Sequence, residues 1–263
     1  MDLFLAGLLG ALQGLTEFFP VSSSGHLALF SFWFGLPNDD LTFEILVHLA
    51  TLAAIVTYFR KDWVLLAKSL FSKENGDLPN LILLYLMVSM IPAGVVGIFF
   101  KDAVVWMNHQ PVAIGFCLCL MGGLLLLGLK APSATKALPD LSWTVVVAMA
   151  MAQALAILPG ISRSGITILC AIFLGLQKPA AARYSFLMAV PVIGGAGLLA
   201  IVDLLDKIDQ LQPGLLAAYA VGFLSALISG FFALAFLMRL LNGNRFFYFG
   251  WYCLAMGILA IVL

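Results

Sequence analysis

Apolar residues fill six stretches of the chain, 41–59, 78–100, 111–129, 184–202, 211–238 and 246–263. Each approaches the roughly 20 residues that carry a helix across a hydrocarbon core about 30 Å thick. Two further apolar stretches, 3–34 and 141–177, are too long for one span and too short for two spans and a turn. Both are interrupted at their middles, the first by Phe19-Pro20-Val21-Ser22-Ser23-Ser24-Gly25 and the second by Pro159-Gly160-Ile161-Ser162-Arg163-Ser164-Gly165. Proline and clustered small polar residues stop helices, and irregular backbone at membrane depth survives only where protein or a water-filled cavity surrounds it. The pattern therefore predicts an all-α polytopic membrane protein with six transmembrane helices plus two re-entrant helix-loop-helix hairpins, in one membrane domain over 1–263.

The two halves also match each other. A shift of 140 residues sets Gln13-Gly14-Leu15 on Gln153-Ala154-Leu155, and Ser22, Ser24 and Gly25 on Ser162, Ser164 and Gly165. Repeat halves over 1–129 and 141–263 would each hold one hairpin and three spans. Because three is odd, the second copy is expected upside down, an inverted-topology repeat that places a binding site near the midplane.

Composition removes whole classes of function. The chain is 63% hydrophobic and 10% charged with a mean hydropathy of +1.10, far from the roughly 25% charge of a soluble domain. Thirteen Lys and Arg balance thirteen Asp and Glu, so no basic field exists to hold nucleic acid. Asp2 runs straight into apolar residues without a basic leader, so no removable signal peptide is expected. Cys117, Cys119, Cys170 and Cys253 lack metal-ligand spacing and read as packing residues.

The placement of charge says more than its sum. Arg60, Lys61, Lys68, Lys73, Lys130, Lys136, Lys178, Arg183, Arg239 and Arg245 fall in one alternating set of connecting segments. The other set, 35–40, 101–110 and 203–210, holds only Lys101 and Lys207 beside Asp39, Asp40, Asp102, Asp203, Asp206 and Asp209. The first set is expected in the cytoplasm, which leaves both termini outside. By parity, the first hairpin enters from outside and the second from inside.

Ionisable groups within membrane segments are functional hypotheses by default, and here they are Glu17, His26, Glu44, His48 and Arg163. Gln13 and Glu17, four apart, project from one helix face; Ser23 and His26, three apart, share another. Arg163 stands between Ser162 and Ser164, with Thr167 one turn on. A half-helix that starts at a Ser-rich loop offers unpaired N–H groups and a positive dipole end. Two such ends and a guanidinium describe an anion site, and phosphate uses planar Arg and hydroxyl donors together. Blander roles exist for each group: Glu17 could simply pair with Arg163, and the serines could only cap helices. His48 and His109 read as ordinary polar contacts, His109 in a surface loop, and Glu44 could line an entrance or bind a cation.

The run from Gln13 to His26, Gln-Gly-Leu-Thr-Glu-Phe-Phe-Pro-Val-Ser-Ser-Ser-Gly-His, together with Leu158-Pro159-Gly160-Ile161-Ser162-Arg163-Ser164-Gly165, resembles the undecaprenyl-diphosphatase family of bacitracin-resistance membrane phosphatases. The likeness covers the whole chain in length and span order. It implies hydrolysis of undecaprenyl diphosphate to the monophosphate and phosphate, which recycles the lipid carrier of cell-wall synthesis. It also implies a divalent cation, Mg²⁺ or Ca²⁺, at Glu17 and Gln13, where Gln13 stands for a glutamate that the family motif also allows. Glu17, Ser23, His26 and Arg163 become the catalytic set. Gln13, Ser22, Ser24, Gly25, Gly160, Ser162, Ser164 and Thr167 become contacts to the head group. Ser23 activated by His26 could attack phosphorus, or His26 or Glu17 could direct water. The location implied is the bacterial plasma membrane with the site open to the outer face, among membrane lipids, and a homodimer is a family-level expectation. The competing reading is a transporter or flippase of a phosphorylated lipid or anion, since inverted repeats with broken helices also mark alternating access.

Overall fold

The computed structural model describes residues 1–36, 41–71, 76–132, 134–205 and 213–263. Asp39, Asp40, Lys73, Asp206, Lys207 and Asp209 lie outside the described residues. Twelve α-helices follow one another among those described: α1 (Leu3–Phe18), α2 (Ser23–Trp33), α3 (Leu41–Tyr58), α4 (Arg60–Ser69), α5 (Leu78–Phe99), α6 (Lys101–Asn108), α7 (Pro111–Leu127), α8 (Trp143–Leu155), α9 (Arg163–Phe173), α10 (Lys178–Leu205), α11 (Pro213–Leu240) and α12 (Phe249–Val262). Five of them, α5, α7, α10, α11 and α12 with short 3₁₀ extensions, are long and apolar enough to cross a membrane. The bent pair α3 and α4 makes a sixth. The protein is thus an all-helical, multi-pass membrane protein.

The six expected spans coincide with α3, α5, α7, α10, α11 and α12, and the differences lie at their ends. Residues 60–69, expected as loop, continue as α4 after a bend of 76°. Leu66 and Ser69 of α4 are buried, while Arg60, Lys61, Val64, Leu65 and Lys68 stay exposed. Residues 101–108, also expected as loop, form α6. Helix α10 starts at Lys178, six residues before the expected span, with Pro179 in its first turn, a position that costs no hydrogen bond. That extension moves Arg183 out of the loop to which its charge had assigned it and into a helix, where its guanidinium pairs with Asp62 of α4.

The two interrupted stretches become short helix pairs on either side of a break. Asp2 Oδ1 caps α1 by accepting from Leu5 N at 2.7 Å, and α1 stops two residues before Pro20, whose ring disfavours helix in the residue ahead of it. Helices α2 and α9 each have 11 residues and begin 140 residues apart, at Ser23 and Arg163. Their caps are alike, with Ser22 Oγ accepting from Gly25 N and Ser162 Oγ accepting from Gly165 N.

Lipid is as apolar as leucine, so helices associate in a bilayer through close packing of small residues rather than by escaping water. Helix α1 runs along α11 through Gly10 and Gly14 against Gly222, Ala226 and Gly230. Helix α7 runs along α12 through Gly115 against Gly257 and Gly122 against Gly250. The main buried cluster gathers about α9 and α10, where Phe18, Tyr184, Phe186, Phe246 and Phe247 are fully enclosed.

These contacts predict a size-dependent defect. A Cβ at Gly14 would stand 2.5 Å from Ala226 O and 2.7 Å from Gly230 N, backbone atoms that cannot step aside. Gly14→Val is expected to cost about 1–3 kcal/mol, the usual penalty of overpacking. Gly123→Ala, whose Cβ would meet nothing within 4 Å, should leave the protein unchanged. Thermal unfolding of both variants in detergent checks this.

Candidate active site

The two helix breaks lie against each other. Ser22 Oγ accepts from Gly160 N at 3.0 Å as well as from Gly25 N at 3.3 Å, so one hydroxyl caps its own helix and ties the opposite break. Ser164 Oγ lies 3.4 Å from the carbonyls of Glu17 and Phe19, and Ser162 Oγ 3.5 Å from that of Phe19. A Cβ at Gly25 would sit 3.0 Å from the Gly160 backbone, close enough to press the breaks apart. Ser22 has φ of 68°, the single positive value at a non-glycine residue among those described. Such a conformation costs about 1–3 kcal/mol and persists where its surroundings fix it; here the hydroxyl of Ser22 meets Gly25 N, Gly160 N and Ser24 Oγ, and its carbonyl meets the backbone N and Nδ1 of His26.

Glu17, one residue from the end of α1, is buried at this junction. Its Oε2 accepts from Ser23 Oγ at 2.6 Å and from Gln13 Nε2 at 3.0 Å. Its Oε1 accepts from the guanidinium of Arg163 in the opposite break. The carboxylate therefore joins α1, α2 and α9. Arg163 Nη1 is buried with no hydrogen-bond partner among the described residues, a donor still available after the ion pair forms.

A cavity of about 230 Å³ lies beside this pair. Glu17, Ser22, Ser23, Ser24, His48, Gln153, Ser162 and Arg163 supply the polar part of its lining, and Ala93, Ile157, Ala189, Val192 and Ile193 are among the apolar part. Polar groups from α1, α2, α3, α8 and α9 thus share the lining with apolar ones from α5, α10 and the break after α8, a lining suited to a molecule with one charged and one oily end.

The structure sorts the residues picked from sequence. Glu17, Ser22, Ser23, Ser24, Ser162 and Arg163 share the cavity. Gln13 stands behind it as a partner of Glu17, with its Oε1 buried and unpaired. Gly25 and Gly160 take part through their backbone. Ser164 is buried and turned toward the carbonyls of the first break. Thr167 points away from the cavity, donating to Arg163 O at 2.7 Å and meeting Ser185 Oγ of α10 at 2.6 Å.

His26 is also elsewhere. Its Nδ1 lies 2.8 Å from Ser22 O and must donate, since a carbonyl only accepts; in the neutral ring Nε2 then accepts from Tyr252 Oη at 2.7 Å. Both ring nitrogens are engaged, and Ser23, expected to pair with His26, donates to Glu17 instead. The three-residue spacing suggested a shared face, but Ser23 is the first residue of α2 and its hydroxyl reaches back across the break.

Three residues went undervalued. His48, read as an ordinary contact, lines the cavity with Nε2 3.7 Å from Glu17 Oε2, while its Nδ1 donates to Glu44 O at 2.8 Å. Its membrane depth was the available signal. Gln153, noticed only as the repeat partner of Gln13, lines the same cavity. Tyr252 could not be found, because nothing local in the sequence links it to His26. The four cysteines carry no disulfide, and Cys253 Sγ donates to Pro20 O at 3.4 Å, packing α12 on the first break.

These features define a multi-pass helical membrane protein with a polar site enclosed where two broken helices meet. A family profile described as bacitracin resistance protein BacA matches residues 6–259. The chain is 38% identical to an undecaprenyl-diphosphatase of Desulforudis audaxviator over all of its own length and 98% of that protein's. It is 38% identical to one of Halothermothrix orenii, again over its full length and 98% of the relative's, and 35% identical to one of Methanosphaera stadtmanae with the same coverage. The chain belongs to the BacA family.

The double role of Ser22 generates a prediction. Ser22→Ala leaves two buried N–H groups, of Gly25 and Gly160, without an acceptor, at about 1–3 kcal/mol for an unsatisfied buried group. The variant should unfold in detergent at a lower temperature than Ser24→Ala, whose half-buried hydroxyl caps no backbone group in the structure.

Proposed function

We propose that this chain hydrolyses undecaprenyl diphosphate to undecaprenyl phosphate and phosphate. The observation that carries this reading is the contact of Ser23 Oγ with Glu17 at 2.6 Å, beside Arg163 and in one cavity lining. Transport of an anion would use Arg163 but has no need of a hydroxyl held by a carboxylate.

Phosphoryl transfer demands positioning and charge neutralisation more than covalent chemistry. Ser23 Oγ attacks the terminal phosphorus and passes its proton to Glu17; the bridging P–O bond breaks and undecaprenyl phosphate leaves. Water then attacks the phosphoserine, restoring Ser23 and releasing phosphate. Arg163, with Nη1 free, and the N-termini of α2 and α9 stabilise charge on the phosphoryl oxygens. His26 supports the site indirectly, by fixing the Ser22 carbonyl and bridging to α12. The apolar part of the lining takes the first isoprene units, and the rest of the tail lies in lipid.

A hard divalent cation, Mg²⁺ or Ca²⁺, prefers oxygen ligands and keeps sites open for phosphate and water. The unpaired Gln13 Oε1 and the Glu17 carboxylate are such donors, so these residues would hold one. It would neutralise phosphate charge. Among the described residues no cluster of three or more His, Cys, Asp or Glu forms a separate metal centre.

The inverted repeat belongs to the same proposal. The like lengths and caps of α2 and α9 support it, as does the pairing of α1 with α11 and of α5 with α8, one pair crossing the halves in each direction. With the basic segments inside, the termini and the mouth of the site face outward in the plasma membrane, where the lipid carrier is released after cell-wall assembly.

Purified protein in detergent should release phosphate from undecaprenyl diphosphate and lose that activity in chelator. Arg163→Lys keeps charge but loses the fork that grips phosphate, and should cost about 3–4 kcal/mol of transition-state stabilisation, roughly 10²–10³ in kcat. Ser23→Ala and Glu17→Gln should fall at least as far. Folded wild-type protein that releases no phosphate would favour transport.

The sidedness is checked separately by an impermeant maleimide on intact cells, using single cysteines in a cysteine-free background. Lys101→Cys should label from outside, and Lys61→Cys only after the membrane is opened.

A further inference from the structure

Gln153 of α8 is 3% exposed. Its Nε2 donates to Ser89 O of α5 at 3.2 Å, which fixes which way the carboxamide faces: a flipped amide would set Oε1 against a carbonyl, two acceptors face to face. Oε1 is therefore a buried acceptor of known identity, and it has no partner among the described residues. Native proteins rarely leave such a group unmatched, because each costs about 1–3 kcal/mol. Gln153 lines the same cavity as Arg163, whose Nη1 is a buried donor without a partner among the described residues. Two residues of one cavity lining thus carry one unmatched donor and one unmatched acceptor, the complement of a group that both accepts and donates.

A fully ionised phosphate only accepts. We infer that Gln153 Oε1 accepts a hydrogen bond from an O–H group at the terminal phosphorus of the substrate, while Arg163 Nη1 donates to a neighbouring phosphoryl oxygen. This rests on the phosphatase reading above. The O–H group has two sources, a protonated terminal phosphoryl oxygen or the water that attacks phosphorus. In the first case Gln153 selects a terminal phosphate over a phosphodiester, since a phosphorus esterified on both sides has no such proton to give. In the second it orients the nucleophile of the hydrolytic step.

Gln153→Met keeps the volume and removes the acceptor. Steady-state hydrolysis of undecaprenyl diphosphate by the purified variant should fall at least tenfold in kcat/KM. A rise in KM at constant kcat identifies the protonated phosphoryl oxygen, and a fall in kcat at constant KM identifies water. Because the substitution also removes the bond to Ser89, thermal unfolding is measured beside activity. If the methionine variant does not fold, Gln153→Asn, which keeps the amide but shortens its reach, is read the same way. A variant with kcat and KM both within twofold of wild type and a lowered unfolding temperature would overturn the inference, leaving Gln153 as a tie between α8 and α5. Wild-type protein inactive on the diphosphate would instead overturn the phosphatase reading and this inference with it.

Discussion

A carboxylate and a guanidinium buried together between two broken helices set the terms for everything near them. Removing both charges from water costs several kcal/mol per ion, and their attraction repays it only when the remaining lone pairs and N–H groups also find partners. Glu17 meets that condition through Ser23 and Gln13, whereas Arg163 keeps one donor unused. The pair thereby fixes the hydroxyl and the amide on one side and leaves an electropositive position open on the other. Since Glu17 lies in the last turn of α1 and Arg163 begins α9, the same contact brings together segments 146 residues apart.

The breaks that make this meeting feasible are costly in a bilayer, where an unpaired backbone group finds no water. Their cost is met locally. Ser22 adopts a strained backbone so that its hydroxyl reaches two N–H groups, Ser164 lies against the carbonyls of the first break, and Cys253 donates to Pro20 O. Gly25 permits the approach because it has no Cβ to press on the Gly160 backbone, and Gly160, with φ of 95°, lies where a Cβ would strike Ile114 O and Cys117 of α7. The serines that sequence suggests as ligands thus divide into two kinds. Ser22 and Ser164 chiefly hold backbone together, while Ser23 and Ser24 face the cavity and Ser162 both caps α9 and reaches it.

Much of this is legible in one dimension because the bilayer simplifies the physics. Span length is set by hydrocarbon thickness and interruptions stand out, so the six spans and both breaks follow from apolar run lengths and from Pro20, Pro159 and the serines. Glu17 and Arg163 follow from the cost of charge at depth. Contacts across long sequence separation are not legible. Tyr252 meets His26 from 226 residues away, and no spacing announces it. The Ser23 and His26 pairing failed because i, i+3 geometry holds within a helix, and Ser23 sits at the break where the backbone turns its hydroxyl toward α1. Arg183 was misplaced because loop charge counts cannot tell a free lysine from an arginine paired to Asp62.

The central claim is that Glu17 and Arg163 stabilise each other and so join the two breaks. A double-mutant cycle on thermal stability in detergent, with Glu17→Gln, Arg163→Gln and the pair together, tests it most directly. Removing one partner strands the other charge in a buried site, at about 3–5 kcal/mol, whereas removing both strands neither. The double variant should therefore be more stable than either single variant, with strong coupling. Additive losses, with a coupling below about 0.5 kcal/mol, the level seen for independent sites, would contradict the account.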